Sequence, residues 1–130
     1  MQSNGTVNNV ELIGYLGADP EARYTANGNP VANFRIATNR VWRDGDGEQH
    51  KEVEWTSVVA WNKLAETCTQ YLHRGSRVRV AGYLRTRSWE DDKGTKHYRT
   101  EVIAESVLFL DRRSDDQAET EEDAAEEIDL

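Results

Sequence analysis

A chain of 130 residues has room for one folded domain and a tail, not for two domains. Its one cysteine, Cys68, excludes an internal disulfide and a multi-thiolate zinc site. The start, Met1 to Thr6, is polar, and no apolar run reaches membrane-spanning length, so neither a secretion signal nor a membrane contact is expected and the cytoplasm is the expected location.

The net charge of −8 argues against a nucleic-acid binder only until its distribution is read. Residues 1–113 hold all 16 Lys and Arg against 15 Asp and Glu, a balance of +1; residues 114–130 hold nine acids and no Lys or Arg. The acidity belongs to the last 17 residues, and the rest is nearly neutral, so the placement of its basic residues decides what it attracts.

In chain order, Val7 to Leu16 alternates as a first strand, with Val10, Leu12, Gly14 and Leu16 on one face and Glu11 and Tyr15 on the other. Gly17-Ala18-Asp19-Pro20 breaks it. Arg23-Tyr24-Thr25 reads as a short extended piece, and Asn27-Gly28-Asn29-Pro30 as a turn. Val31 to Trp42 resumes the alternation, with Ala32, Phe34, Ile36 and Thr38 inward and Asn33, Arg35 and Asn39 outward. Arg43 to His50 has no apolar residue and is expected to be a solvated hairpin loop; Lys51 to Trp61 is the third strand.

The period then changes. Leu64, Cys68, Tyr71 and Leu72 mark one face of a short helix, with His73 and Arg74 in its last turn and Gly75 as its left-handed cap. Arg77 to Trp89 is the fourth strand, with Val78, Val80, Gly82 and Leu84 inward and Arg77, Arg79, Tyr83, Arg85 and Arg87 outward. A second polar loop, Glu90 to Lys96, leads into the fifth strand, His97 to Leu110. Three strands, a helix, then two strands is the order of an OB-fold, so the chain is expected to be all-β: a five-stranded Greek-key barrel with one short helix between strands three and four. Its binding face would lie across strands two and three and the flanking hairpin loops. Residues 114–130 have no aromatics and too little apolar surface to offset the entropy of ordering, and form the expected disordered acidic tail.

Four tryptophans stand where core tryptophans would not. Trp42 and Trp89 sit where strands pass into the two polar loops, and Trp55 and Trp61 share one face of the third strand. Exposed indoles at strand–loop junctions offer flat surfaces to unpaired bases, each worth about 1–3 kcal/mol. Basic residues interleave with them: Arg35, Arg40 and Arg43 run up to and past Trp42, Lys51 and Lys63 flank Trp55 and Trp61, and Arg77, Arg79, Arg85 and Arg87 form an outward stripe leading to Trp89. Catalysis is not indicated. His50, His73 and His97 are scattered, and Asp44, Asp46 and Glu48 open a calcium-type loop whose closing position is Trp55. No metal or cofactor is expected.

The ordered series Asn8-Asn9-Val10, Gly14-Tyr15-Leu16-Gly17, Asp19-Pro20-Glu21, Arg23-Tyr24, Val31-Ala32-Asn33, Trp42-Arg43, Glu54-Trp55, Lys63-Leu64-Ala65-Glu66, Gly75-Ser76 and Gly82-Tyr83-Leu84-Arg85-Thr86-Arg87 before Trp89 resembles the bacterial single-stranded DNA-binding protein family over about residues 5–110. The resemblance implies sequence-tolerant binding of single-stranded DNA in replication, recombination and repair. It assigns base stacking to Trp42, Trp55 and Trp89, and to Trp61 where the family usually has phenylalanine. It assigns phosphate contacts to Arg23, Arg43, Lys63, Arg74, Arg85 and Arg87; strand parity adds Arg35. It further implies a homotetramer and a tail whose tip, Glu126, Glu127, Ile128, Asp129 and Leu130, binds replication and repair proteins, although the family's usual Ile-Pro-Phe ending is replaced. The rival readings are an RNA-binding module of the same fold and a protein–protein adaptor that buries its tryptophans between subunits.

Overall fold

The computed structural model describes residues 4–110, so the acidic tail and its tip (Glu126, Glu127, Ile128, Asp129, Leu130) lie outside the described residues. Strand β1 (Val10–Leu16) alternates as its sequence requires, with Gly14 and Leu16 buried and Glu11, Ile13 and Tyr15 exposed. It pairs antiparallel with β5 (Arg77–Glu90) and, at Tyr15 and Leu16, with β3 (Pro30–Arg43). The β3 and β5 strands continue by hairpins into β4 (Gln49–Trp61) and β6 (Lys96–Phe109). A short parallel join, Val58 to Val102 and Val59 to Ile103, closes the ring. These five strands make the expected barrel. The short extended piece is a strand in its own right, β2 (Glu21–Tyr24), paired to the start of β3 and exposed along its whole length, which is why no alternation marked it.

The barrel is filled by Leu16, Ala32, Phe34, Ile36, Val58, Ala60, Val78, Val80 and Val102, all 5% exposed or less. Each Leu, Val, Ile or Phe among them contributes about 1.5–3 kcal/mol by leaving water. One end is plugged by helix α1 (Asn62–Tyr71), which contributes Ala65 and Cys68, with Leu72 behind them. The helix is shorter than expected. Leu72 turns extended to reach the core, its N–H donating to Cys68 O, so His73 and Arg74 fall beyond the helix and Gly75 is not its cap. Gly75 does take a left-handed φ of 89°, in a turn where its N–H donates to Leu16 O. Tyr71, expected on the apolar face, is 57% exposed and tilts against Phe109.

Two features aim the functional surface. Opposite Gly82 the register slips, with Ala81 facing Ser106 and Gly82 facing Ala104. A Cβ at Gly82 would lie 1.9 Å from Ile103 O, so only glycine fits this bulge. The two hairpins also run on past the barrel as two-stranded arms, and from Asn39 to Trp55 most residues are exposed whichever face they take. Beyond Thr38 the inward parity therefore points to solvent. Trp42 has that parity and is not core.

Candidate nucleic-acid interface

On the outer face of β3, β4, β5 and β6 the strands frame an open groove of about 530 Å³, floored on one side by Gly17, Ala18 and Asp19. Strand parity brings Asn33 and Arg35, Trp55 and Ser57, Arg87, and Arg99 and Glu101 to this one face. Trp55 is 47% exposed, with the Arg35 guanidinium 5.0 Å from its ring centroid. Its other support is backbone: a Cβ on Gly17 would come within 2.5 Å of the indole, so glycine is required there for the ring to lie down.

Glu101 is the centre of the groove's electrostatics. Its side chain is buried, and its carboxylate meets Arg87 at 3.3 Å, Arg85 at 3.6 Å and Arg99 at 3.9 Å. A buried carboxylate with several cationic partners orients them, since each guanidinium gives up water for a charge-assisted contact. Arg99 also donates to Ser57 Oγ at 2.7 Å, tying β6 to β4 across the groove. Arg23, Arg35, Arg87 and Arg99 face Asp19, Glu21 and Glu101, so lining cations exceed lining anions by one. The groove presents oriented arginines, not a large positive field.

The remaining expected residues are spread around this groove. Arg85 joins it through Glu101. Arg43 lies in the first hairpin loop, donating to Gly47 O at 2.9 Å. Lys63 is exposed at the start of α1, and exposed Arg74 is tied by its backbone N–H to Asp19 Oδ1 at 2.8 Å. Trp61 shares Trp55's face but is half-buried against Val31, Val59, Ile103 and Tyr83, a second apolar cluster outside the barrel. The outward arginine stripe divides: Arg79 pairs with Glu11 on β1, and the bulge at Gly82 separates it from Arg85 and Arg87. Arg99, Ser57 and Glu101 were missed by sequence reasoning. The signal was available: hairpin register places Arg99 opposite Arg87 and Glu101 opposite Arg85.

Each arm ends in a tryptophan that the sequence singled out and in a partner that it did not. Trp42 is half-buried and stacks on His50, with centroids 5.2 Å apart and an interplanar angle of 21°. Trp89, 41% exposed, stacks on His97 at 5.5 Å and 22°. Arg40 lies 4.4 Å over Trp42, and Arg87 lies 4.8 Å over Trp89. His50 bonds Asp44 Oδ2 at 2.8 Å, and His97 bonds Asp91 Oδ2 at 2.9 Å. An ionised carboxylate only accepts, so Nε2 carries the proton in both pairs. That bond, first, and backbone N–H donors, second, hold the Asp44 and Asp91 carboxyls below the ordinary carboxylate range.

Asp44, Glu48 and His50 place ligand-type atoms within 4.8 Å of one another. The second hairpin makes the same aspartate–histidine bond with Thr95 where Glu48 stands, so the bond recurs where the third ligand-type residue is absent and needs no ion. Among the described residues no helix is long and apolar enough to cross a membrane.

Comparison with known proteins agrees with this geometry. Residues 7–110 match the family described as the single-strand binding protein family. A relative from Chlorobaculum tepidum, "Single-stranded DNA-binding protein 1", is 47% identical over 105 residues; the match spans 80% of this chain and 65% of the relative. A Plasmodium falciparum SSB solved in complex with ssDNA superposes with a TM-score of 0.77 at 31% identity, covering 85% of this chain and all of that one. A deletion mutant of the single-stranded DNA-binding protein from Thermus aquaticus gives 0.74 at 31% identity, covering 82% of this chain and 52% of the other. The closed barrel, the groove and these matches together make the chain a member of the single-strand binding protein family.

Proposed function

We propose that this protein binds single-stranded DNA without strong sequence preference, protecting it during replication, recombination and repair, and that it acts by binding and not by catalysis. The observation that carries the reading is that Trp55 and Trp89 stand 47% and 41% exposed beside oriented arginines, surfaces that a folded chain normally covers. Unpaired bases stack on Trp55, Trp89 and Trp42, and on the open part of Trp61, because every base has a flat face. Arg23, Arg35, Arg87 and Arg99 meet phosphates in the groove. Arg85 does so through its place beside Glu101, and Arg43, Lys63 and Arg74 extend the path around it. A base arriving on an indole takes the guanidinium's place, and the guanidinium moves to the adjoining phosphate.

Ile13 and Tyr15 on β1 and Leu108 on β6 leave 45–54% of their surfaces exposed, an apolar outer face that supports assembly into a homotetramer. The tail, residues 114–130, would recruit replication and repair proteins through its acidic and aliphatic tip in the cytoplasm, at the nucleoid. Titration with oligothymidine tests the central claim. Tryptophan emission falls steeply on binding, and an emission unchanged by micromolar strand refutes it. Light scattering with and without strand reads the assembly.

A further inference from the structure

The two hairpin arms carry one motif twice. Arg40-x-Trp42-x-Asp44-x-x-Gly47-x-x-His50 and Arg87-x-Trp89-x-Asp91-x-x-Gly94-x-x-His97 have the same residues at the same spacing. The structures repeat as well. In each loop the aspartate Oδ1 accepts two backbone N–H groups, from Asp46 and Glu48 or from Lys93 and Thr95, all at 2.9 Å. Each glycine takes a left-handed φ, 83° at Gly47 and 82° at Gly94. Each aspartate Oδ2 then holds a histidine, and each histidine stacks on the tryptophan directly across the hairpin. The arms emerge from different strand pairs. A turn needs the aspartate and the glycine; it does not need the ring.

We propose that His50 and His97 are positioning residues for the nucleobase sites at Trp42 and Trp89, each an aspartate-anchored imidazole that fixes the indole plane on which an unpaired base lands. The inference rests on the stacking reading given above. What sets the histidines apart from the arginines at the same rings is how firmly each is held. The imidazoles are bonded at 2.8 and 2.9 Å to carboxylates already locked by the turn. The guanidiniums reach Glu52 and Glu101 only at 3.4 and 3.3 Å, and Arg40 and Glu52 are mostly exposed. The arginine is the group that gives way to a base, and the histidine is the group that stays. An indole on a two-stranded arm has no core beneath it, so without the imidazole its plane would be set by its own rotamers, and ordering it would weaken every binding event.

The test uses the full chain and a labelled oligothymidine, followed by anisotropy at fixed salt. Trp89→Ala comes first; if it binds as tightly as the parent, the stacking reading at that arm fails on its own account. With that loss established, His97→Ala is expected to weaken binding about two- to tenfold, the span of an aromatic pair. His97→Phe should restore part of it, because an aromatic plane returns without the bond to Asp91. In the Trp89→Ala background His97→Ala should cost nothing further, since the histidine acts through the indole. Melting curves check that the arm variants stay folded. His50→Ala and Trp42→Ala repeat the cycle on the other arm. Parent-like binding by both histidine variants, or a loss that persists undiminished without the tryptophan, overturns the proposal.

Discussion

Trp55 and Trp61 lie six residues apart on one face of one strand, yet their surroundings predict opposite consequences for removing them. Trp55 is 47% exposed and lies beside Gly17 and the Arg35 guanidinium. Trp55→Ala therefore forfeits about half of an indole's burial and one exposed cation–π contact, a stability cost of about 1–2 kcal/mol. Its loss of base stacking is expected to cost about 1–3 kcal/mol of affinity, roughly 5- to 150-fold. Trp61 seats its ring among Val31, Val59, Ile103 and Tyr83. Deleting a fully buried tryptophan costs about 3–5 kcal/mol, and one that is mostly covered somewhat less, about 2–4 kcal/mol. Trp61→Ala should thus melt several degrees earlier while losing no more than about threefold in affinity, the worth of its open edge. Thermal melts and anisotropy of a labelled oligothymidine, below the melting range and at fixed salt, read the two quantities separately. If Trp61→Ala keeps the parent's melting temperature and loses as much affinity as Trp55→Ala, the packing argument is wrong.

Arg99→Gln should weaken binding and flatten the plot of log affinity against log salt by about 0.7, the share of one phosphate on a single strand; an unchanged slope would remove Arg99 from the phosphate path. Gly17→Ala should fold normally but bind several-fold more weakly, because a Cβ there comes within 2.5 Å of the Trp55 ring and the indole, not the backbone, gives way. A melting temperature that falls instead, with affinity retained, would place the strain in the barrel. Burial pushes the Cys68 thiol up from its ordinary 9.0 to about 11, so the folded state favours the neutral thiol. That stability is complete below pH 9.0 and is lost as pH rises towards about 11. Cys68→Ser or Cys68→Ala should abolish that alkaline fall in denaturation midpoints, and a thiol reagent should label Cys68 only as fast as the chain unfolds.

The barrel was legible because its strands are half-buried, and period-two patterning reports which residues face a core. Val78, Val80, Ala32, Phe34 and Ile36 fall where alternation puts them. Alternation says nothing about what covers the other face. That is why Trp61 and Trp55 were equivalent in sequence and are not in space, the second apolar cluster lying outside the barrel. The helix end was misjudged for a similar reason: local cap chemistry at His73, Arg74 and Gly75 was overridden by Leu72, which must leave the helix to bury its side chain. Glu101 and Arg99 carried no signal in their own segment, since an acid among arginines on a strand reads as solvated charge. Only the hairpin register, set by the loop Glu90 to Lys96, brings them opposite Arg85 and Arg87. His50 and His97 could have been found by laying one hairpin over the other; read singly, each is a lone histidine beside a loop.

The near-neutral groove has a consequence for how affinity arises. With lining cations exceeding anions by one, long-range attraction contributes little, and Arg35, Arg85, Arg87 and Arg99 are already engaged with Glu101 or with an indole face before any strand arrives. On the reading proposed above, binding is an exchange at the indoles and an addition at Glu101: a base replaces the guanidinium on the ring, and a phosphate joins the carboxylate as a further acceptor for the guanidinium donors. The net gain would then come largely from counterions released by the strand and from apolar base faces leaving water. Neither source depends on which base is present. A groove whose cations were unpaired would bind more tightly at low salt but would hold any polyanion, duplex included. Oriented arginines with resident partners favour the one ligand that supplies a phosphate and an unstacked base together, which is a single strand.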